Sequence, residues 1–128
     1  MIQHHLFIGS SEGRGRGVFT REDIPPETVV EVSPVLVMTG EERRILDLTL
    51  LHDYIFEWGE QQERCCVGLG YLSLYNHRSD SNCEYFMEYE EEIMYVKTVR
   101  AIRAGEELTI NYNGSSGNTE PVWFNALP

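Results

Sequence analysis

The apolar residues of this chain come in short bursts, and glycine, proline or a polar cluster interrupts each burst before a long helix could form. Leu6-Phe7-Ile8 reads as a short strand, followed by a glycine-rich turn at Gly13-Arg14-Gly15-Arg16-Gly17 and a second apolar piece, Val18-Phe19. Ile24-Pro25-Pro26 breaks the chain again. Thr28 to Met38 alternates and is β-branched, so it reads as a strand, with Pro34 marking an edge or a bend. Between Glu41 and Trp58 the residues Ile45, Leu48, Leu51, Ile55 and Trp58 recur near helical spacing. That pattern predicts one short helix running into an extended stretch around Tyr54-Ile55-Phe56. Glu84 to Val99 reads as a hairpin, Ala104-Gly105-Glu106 as a turn, and Leu108 to Tyr112 as a last strand before a loop that contains Trp123-Phe124. The sum is a mostly-β domain of many short strands with little helix.

At 128 residues the chain has room for one ordinary domain, expected to occupy all of residues 1–128. With 41% hydrophobic residues, including two Trp, seven Tyr and five Phe, it can build a core. No run reaches the roughly 18 apolar residues a membrane-spanning helix needs. Met1-Ile2-Gln3-His4-His5 lacks the basic-then-apolar layout of a secretion signal. A cytoplasmic location is expected, or a nuclear one in a eukaryote. Cys65, Cys66 and Cys83 are odd in number and lack zinc-knuckle spacing, so they read as reduced and structural, with no metal site.

The net charge of −11 argues against nucleic acid as the direct partner and suits a cationic one. Acidity also serves solubility alone, and the run Glu88, Glu90, Glu91, Glu92 reads as a solvated hairpin as readily as a docking face.

Three polar segments stand out. Gly13 to Gly17 allows a tight turn and close approach to main-chain groups, but no Lys-Ser/Thr follows to make a phosphate loop. Asn76-His77-Arg78-Ser79-Asp80-Ser81-Asn82-Cys83 either caps a turn or lines a pocket. A Cys/His nucleophile could be drawn from Cys83 and His77, but no further residue orients a base. Gly105-Glu106-Glu107-Leu108-Thr109-Ile110-Asn111-Tyr112 closes a strand with a tyrosine, which alone says little.

In this order and spacing, the three segments resemble the signatures of the SET-domain protein-lysine methyltransferases, over about residues 5 to 124. The resemblance implies a β-fold of several short sheets with a C-terminal pseudoknot and little helix, the core at about 5–114 and an aromatic closing segment at about 115–128. It implies S-adenosylmethionine as methyl donor and a protein lysine as acceptor, on a basic, histone-like segment. Arg14, Gly15, Arg16 and Gly17 would meet the methionine part of the cofactor, and Asn76 and His77 would hold it from the opposite side. Tyr112 stands at the family's catalytic tyrosine. Tyr85, with Tyr54 and Tyr71, would line the lysine channel. Trp123 would stack on adenine, and Phe124 would lie beside the substrate. Ser79, Ser81, Asn111 and Thr20 depart from the family's usual cysteine, proline, aspartate and alanine. A rival implication is an inactive module whose aromatic, acidic groove holds methyl-lysine by cation–π contact. A domain this small could also dimerise to complete its groove.

Overall fold

The computed structural model describes residues 1–114 and 117. Two sheets account for the strands. In the first, β1 (Leu6–Ser11), β2 (Gly15–Thr20), β9 (Glu107–Ile110) and the two-residue β6 (Asn76–His77) lie in the order β1-β2-β9-β6. In the second, β4 (Ile55–Trp58), β5 (Arg64–Gly68), β3 (Val29–Met38), β8 (Ile93–Thr98) and β7 (Cys83–Glu88) lie in the order β4-β5-β3-β8-β7. The core between them gathers Val18, Val30, Trp58, Leu72, Tyr75, Met94, Val96, Ile102 and Leu108.

The glycine run is not all turn. Only the residues up to Arg14 bend, while Gly15 to Gly17 belong to β2 and pair with Ser11, Ser10 and Gly9. Gly15 has φ +78°, which an L side chain reaches only with strain. Pro34 sits where β3 changes partner: it is the last residue paired with β8, and Val35 begins the pairing with β5. That position leaves its missing N–H without consequence for the ladder.

The helix expected from Glu41 onward is shorter than the apolar spacing suggests. α1 covers Gly40–Leu46, and a 3-10 turn follows at Leu50–Asp53 before β4. Thr39 and Glu42 fix its start with reciprocal side-chain-to-backbone bonds of 3.1 and 3.0 Å, a capping box. The spaced apolar residues do not form a buried face, since Ile45 is 66% and Leu48 88% exposed. No helix among the described residues is long and apolar enough to cross a membrane.

β6 and β9 run parallel, with Asn76 opposite Thr109 and His77 opposite Ile110. This pairing sets the Asn76 and Tyr112 segments side by side. Asn82 reinforces it: its amide donates to the Glu107 carbonyl at 2.9 Å and accepts from Thr109 N at 2.9 Å. Residues that depart from the family pattern have local partners of their own. Asn111 donates through Nδ2 to the Ser79 carbonyl at 3.2 Å, which a carboxylate could not do. The Ser81 hydroxyl donates to the Cys83 carbonyl, and the Thr20 hydroxyl to the Glu22 carbonyl.

Candidate active site

Tyr112 lies two residues past the end of β9, where the parallel pairing carries it alongside β6. Its backbone N donates to His77 Nδ1 at 3.1 Å, and its hydroxyl donates to the Tyr75 carbonyl at 2.6 Å. The two rings of His77 and Tyr112 stand 5.3 Å apart. Burial, then the neighbouring Tyr54 and Tyr85, push the Tyr112 phenol well above its ordinary range, so it stays protonated. His77 is held below the ordinary histidine value, first by burial and then by the Arg14 guanidinium, which keeps Nδ1 free to accept.

On one side of this junction lie the glycine strand and the amide. Asn76 Nδ2 donates to the Arg16 carbonyl at 2.9 Å and to Glu107 Oε2 at 2.7 Å. Ser11 donates to the other Glu107 oxygen at 2.7 Å. A Cβ on Gly17 would fall on Glu107 Oε2 and 2.9 Å from Asn76 Nδ2, so any side chain here must displace the Glu107 carboxylate or the Asn76 amide. β6 is the edge of its sheet among the described strands.

On the other side a cleft of about 460 Å³ opens, lined by Tyr112, Tyr85, Met87 and Tyr89 together with Glu57 and Glu60. The Tyr85 hydroxyl donates to the Tyr112 carbonyl at 3.1 Å, and Phe56 packs against both rings. Behind the junction is a buried carboxyl. Glu31 accepts from the Tyr75 hydroxyl at 2.9 Å, from Ser33 Oγ at 2.7 Å and from Tyr71 N at 2.9 Å, and burial raises its pKa.

The structure therefore brings Arg14, Gly15, Arg16 and Gly17 to one face with Asn76 and His77, and sets Tyr85 beside Tyr112 on the other. Tyr54, at the end of the 3-10 turn, is near enough to influence the Tyr112 phenol. Tyr71 begins the next 3-10 turn against Glu31 and is not among the residues lining the cleft. Trp123 and Phe124 lie outside the described residues. Cys83 is fully buried and burial pushes its thiol up to about 12, so it is no nucleophile. Sequence reasoning missed Phe56, Glu57, Tyr75, Met87, Tyr89, Glu107 and Glu31. Only the alternation of β7, which puts Tyr85 and Met87 on one face, could have pointed to any of them.

A glycine strand and an edge strand on one side, an aromatic cleft on the other and a tyrosine between them form a two-sided site, suited to bringing a donor and an acceptor to one point. The SET domain family model matches residues 15–113. A curated relative from Schizosaccharomyces pombe, a histone-lysine N-methyltransferase specific for H3 lysine-37, is 34% identical over 125 residues, 97% of this chain and 80% of that protein. A crystal structure of a candidate histone methyltransferase from Plasmodium falciparum superposes with TM-score 0.66 at 30% identity, covering 87% of this chain and 95% of that one. A humanized mutant of Polycomb Repressive Complex 2 from Chaetomium thermophilum, bound to the inhibitor GSK126, gives TM-score 0.72 at 25% identity. It covers 88% of this chain and only 15% of that one. The chain belongs to the SET-domain family. Its activity is the transfer of a methyl group from S-adenosylmethionine to a lysine side chain of a protein.

The residues present fit that methyl donor. Gly15 is exposed and leaves its main chain uncovered by side chains, and Gly17 lies buried beneath the Glu107 and Asn76 side chains. Asn76 and His77 are half-buried at a sheet edge, and Glu107 sets a carboxylate beside them. A carboxylate suits a ligand that carries a sulfonium and an ammonium.

Proposed function

We propose that the methyl acceptor is a lysine in a basic, extended segment of a histone-type protein, and that it enters through the cleft lined by Tyr85 and Tyr112. The donor binds on the opposite face, held by Arg14 to Gly17, Asn76 and His77. The observation that carries this reading is the position of Tyr112, bonded to His77 on one side and forming the wall of the cleft on the other.

S-adenosylmethionine, when bound, supplies an electrophilic methyl group on a sulfonium. The protein's task is to present a neutral amine in line with it. A free lysine has a pKa of about 10.4, so it must shed a proton first. The aromatic walls of Tyr85 and Tyr112, backed by Phe56, disfavour the charged form by desolvation. Tyr112 orients rather than accepts that proton, because its own phenol is held protonated and its hydrogen is committed to the Tyr75 carbonyl. The proton leaves through the open end of the cleft, where Glu57 and Glu60 stand.

Those carboxylates, and the net charge of −11, favour a cationic segment over nucleic acid. The specificity of the Schizosaccharomyces pombe relative for a histone lysine points the same way, and to the nucleus as the place of action in a eukaryotic cell. We assign residues 1–128 to one SET domain, with Trp123 covering the adenine and Phe124 beside the substrate. Tyr54 stands near Tyr112 and would flank the channel there, whereas Tyr71, tied to Glu31 by its backbone N, is not part of the cleft wall. A homodimer would extend the groove.

The experiment is transfer of labelled methyl to core histones, to a basic histone-tail peptide and to an acidic peptide of equal lysine content, with products located by mass spectrometry. Label on lysine of the basic substrates, and little on the acidic one, supports the reading. Equal labelling of both peptides would remove the charge-based choice of substrate.

A further inference from the structure

We propose that His4, His5 and Glu22 form a binding site for a divalent transition metal of the zinc type, separate from the transfer site. The register of the first hairpin assembles it. Leu6 pairs with Thr20, so the residues just before β1 meet those just after β2, and Arg21 N donates to the His5 carbonyl at 2.8 Å. One ligand atom from each of the three side chains lies within 4.8 Å of the others, and His5 Nδ1 is 3.6 Å from Glu22 Oε2. Zinc bonds of roughly 2.0–2.2 Å in a tetrahedron set ligand atoms about 3.4 Å apart, so small side-chain rotations suffice.

A second observation points to a ligand. Both ring nitrogens of His5 are shielded from solvent and neither has a hydrogen-bond partner. A neutral imidazole carries one donor and one acceptor, and leaving both unsatisfied in a folded protein is uncommon. A metal at Nδ1 would satisfy one of them. The His4 ring stands 5.3 Å from that of His5 and edge-on to it, so both can turn a nitrogen to a common point. The Glu22 side chain is 61% exposed, which leaves a fourth position to water. Two imidazoles and one carboxylate suit zinc, cobalt or nickel rather than calcium or magnesium.

The cluster lies at the open end of the β1–β2 hairpin, and the bend before Gly15 lies at the other. A metal there would pin the base of the hairpin that carries Gly15 to Gly17. Its effect falls on stability, with no part in methyl transfer.

The test is calorimetric titration of the whole chain with Zn²⁺, repeated with Co²⁺ to read the ligand-field spectrum, on wild type, Glu22→Gln, His4→Ala and His5→Ala. The site predicts one equivalent bound, a higher Tm in wild type on adding metal, and binding weakened at least about tenfold in each variant. Glu22→Gln is a surface change that leaves the fold intact, so it decides the matter even if His5→Ala fails to fold. No saturable binding would overturn the proposal. So would equal affinity in wild type and Glu22→Gln, which would mean that two adjacent histidines chelate metal without a built site.

Discussion

The Tyr112 hydroxyl donates to the main-chain carbonyl of Tyr75 at 2.6 Å, although the two residues lie 37 positions apart. Tyr75 is in turn anchored by its own hydroxyl to Glu31, which is fully buried. A hydrogen-bonded chain thus runs from Tyr112 through the Tyr75 backbone into the core.

Tyr75→Phe removes the hydroxyl and leaves one Glu31 oxygen without that donor. Loss of one buried partner costs about 1–3 kcal/mol. We expect a lower urea midpoint with an unchanged slope, and a kcat that falls more than the cofactor Kd rises. Unchanged stability would show that water replaces the hydroxyl.

Burial raises the Glu31 carboxyl above its ordinary value of 4.5, so folding favours its protonated form. Its contribution to stability is complete below pH 4.5 and is lost as pH rises through the raised folded value. The stability advantage of wild type over Glu31→Gln should therefore shrink from about pH 4.5 upward. Denaturant melts across that range check it, and an advantage that grew with pH would contradict the burial argument.

His77 behaves in the opposite sense. Its folded pKa lies below the ordinary 6.5, so its contribution is present above 6.5 and is lost as pH falls through the lowered value. Protonation would also end the bond from Tyr112 N. We expect cofactor affinity to weaken on the acid side in wild type and to lose that dependence in His77→Ala. Arg14→Gln should move the His77 titration, followed by NMR, upward by less than the full shift, because burial is the larger cause.

Gly17→Ala should weaken cofactor binding at least about tenfold, or about 1.4 kcal/mol, since its methyl must displace Glu107 or Asn76. Gly15→Ala meets no neighbour and pays only for its positive φ, about 1–2 kcal/mol of stability. Equal effects of the two substitutions on affinity would mean that the close approach at Gly17 is irrelevant to the ligand.

The strands β1, β3 and β9, the β7–β8 hairpin and the three polar segments were legible in the sequence, because alternation and turn residues act locally, whereas β5, β6 and the glycine part of β2 were not read as strands. Glu31 was not. A bulge between Val29 and Glu31 resets the alternation of β3, so Val30 and Glu31 are both buried, and a period-two reading turns the carboxylate outward. The apolar spacing from Ile45 to Leu51 also misled, because the chain leaves α1 at Leu46 and exposes these side chains. Met87 and Tyr89 come to the cleft from β7 and the turn after it, and Phe56 of β4 packs behind Tyr85 and Tyr112, a convergence that only the tertiary fold creates.

The most direct measurement is methyl-transfer turnover of Tyr112→Phe set beside its affinity for S-adenosylmethionine. A kcat at least about tenfold lower, or about 1.4 kcal/mol in barrier, with a Kd little changed, is the expected result. Equal turnover in mutant and wild type would take Tyr112 out of the reaction centre.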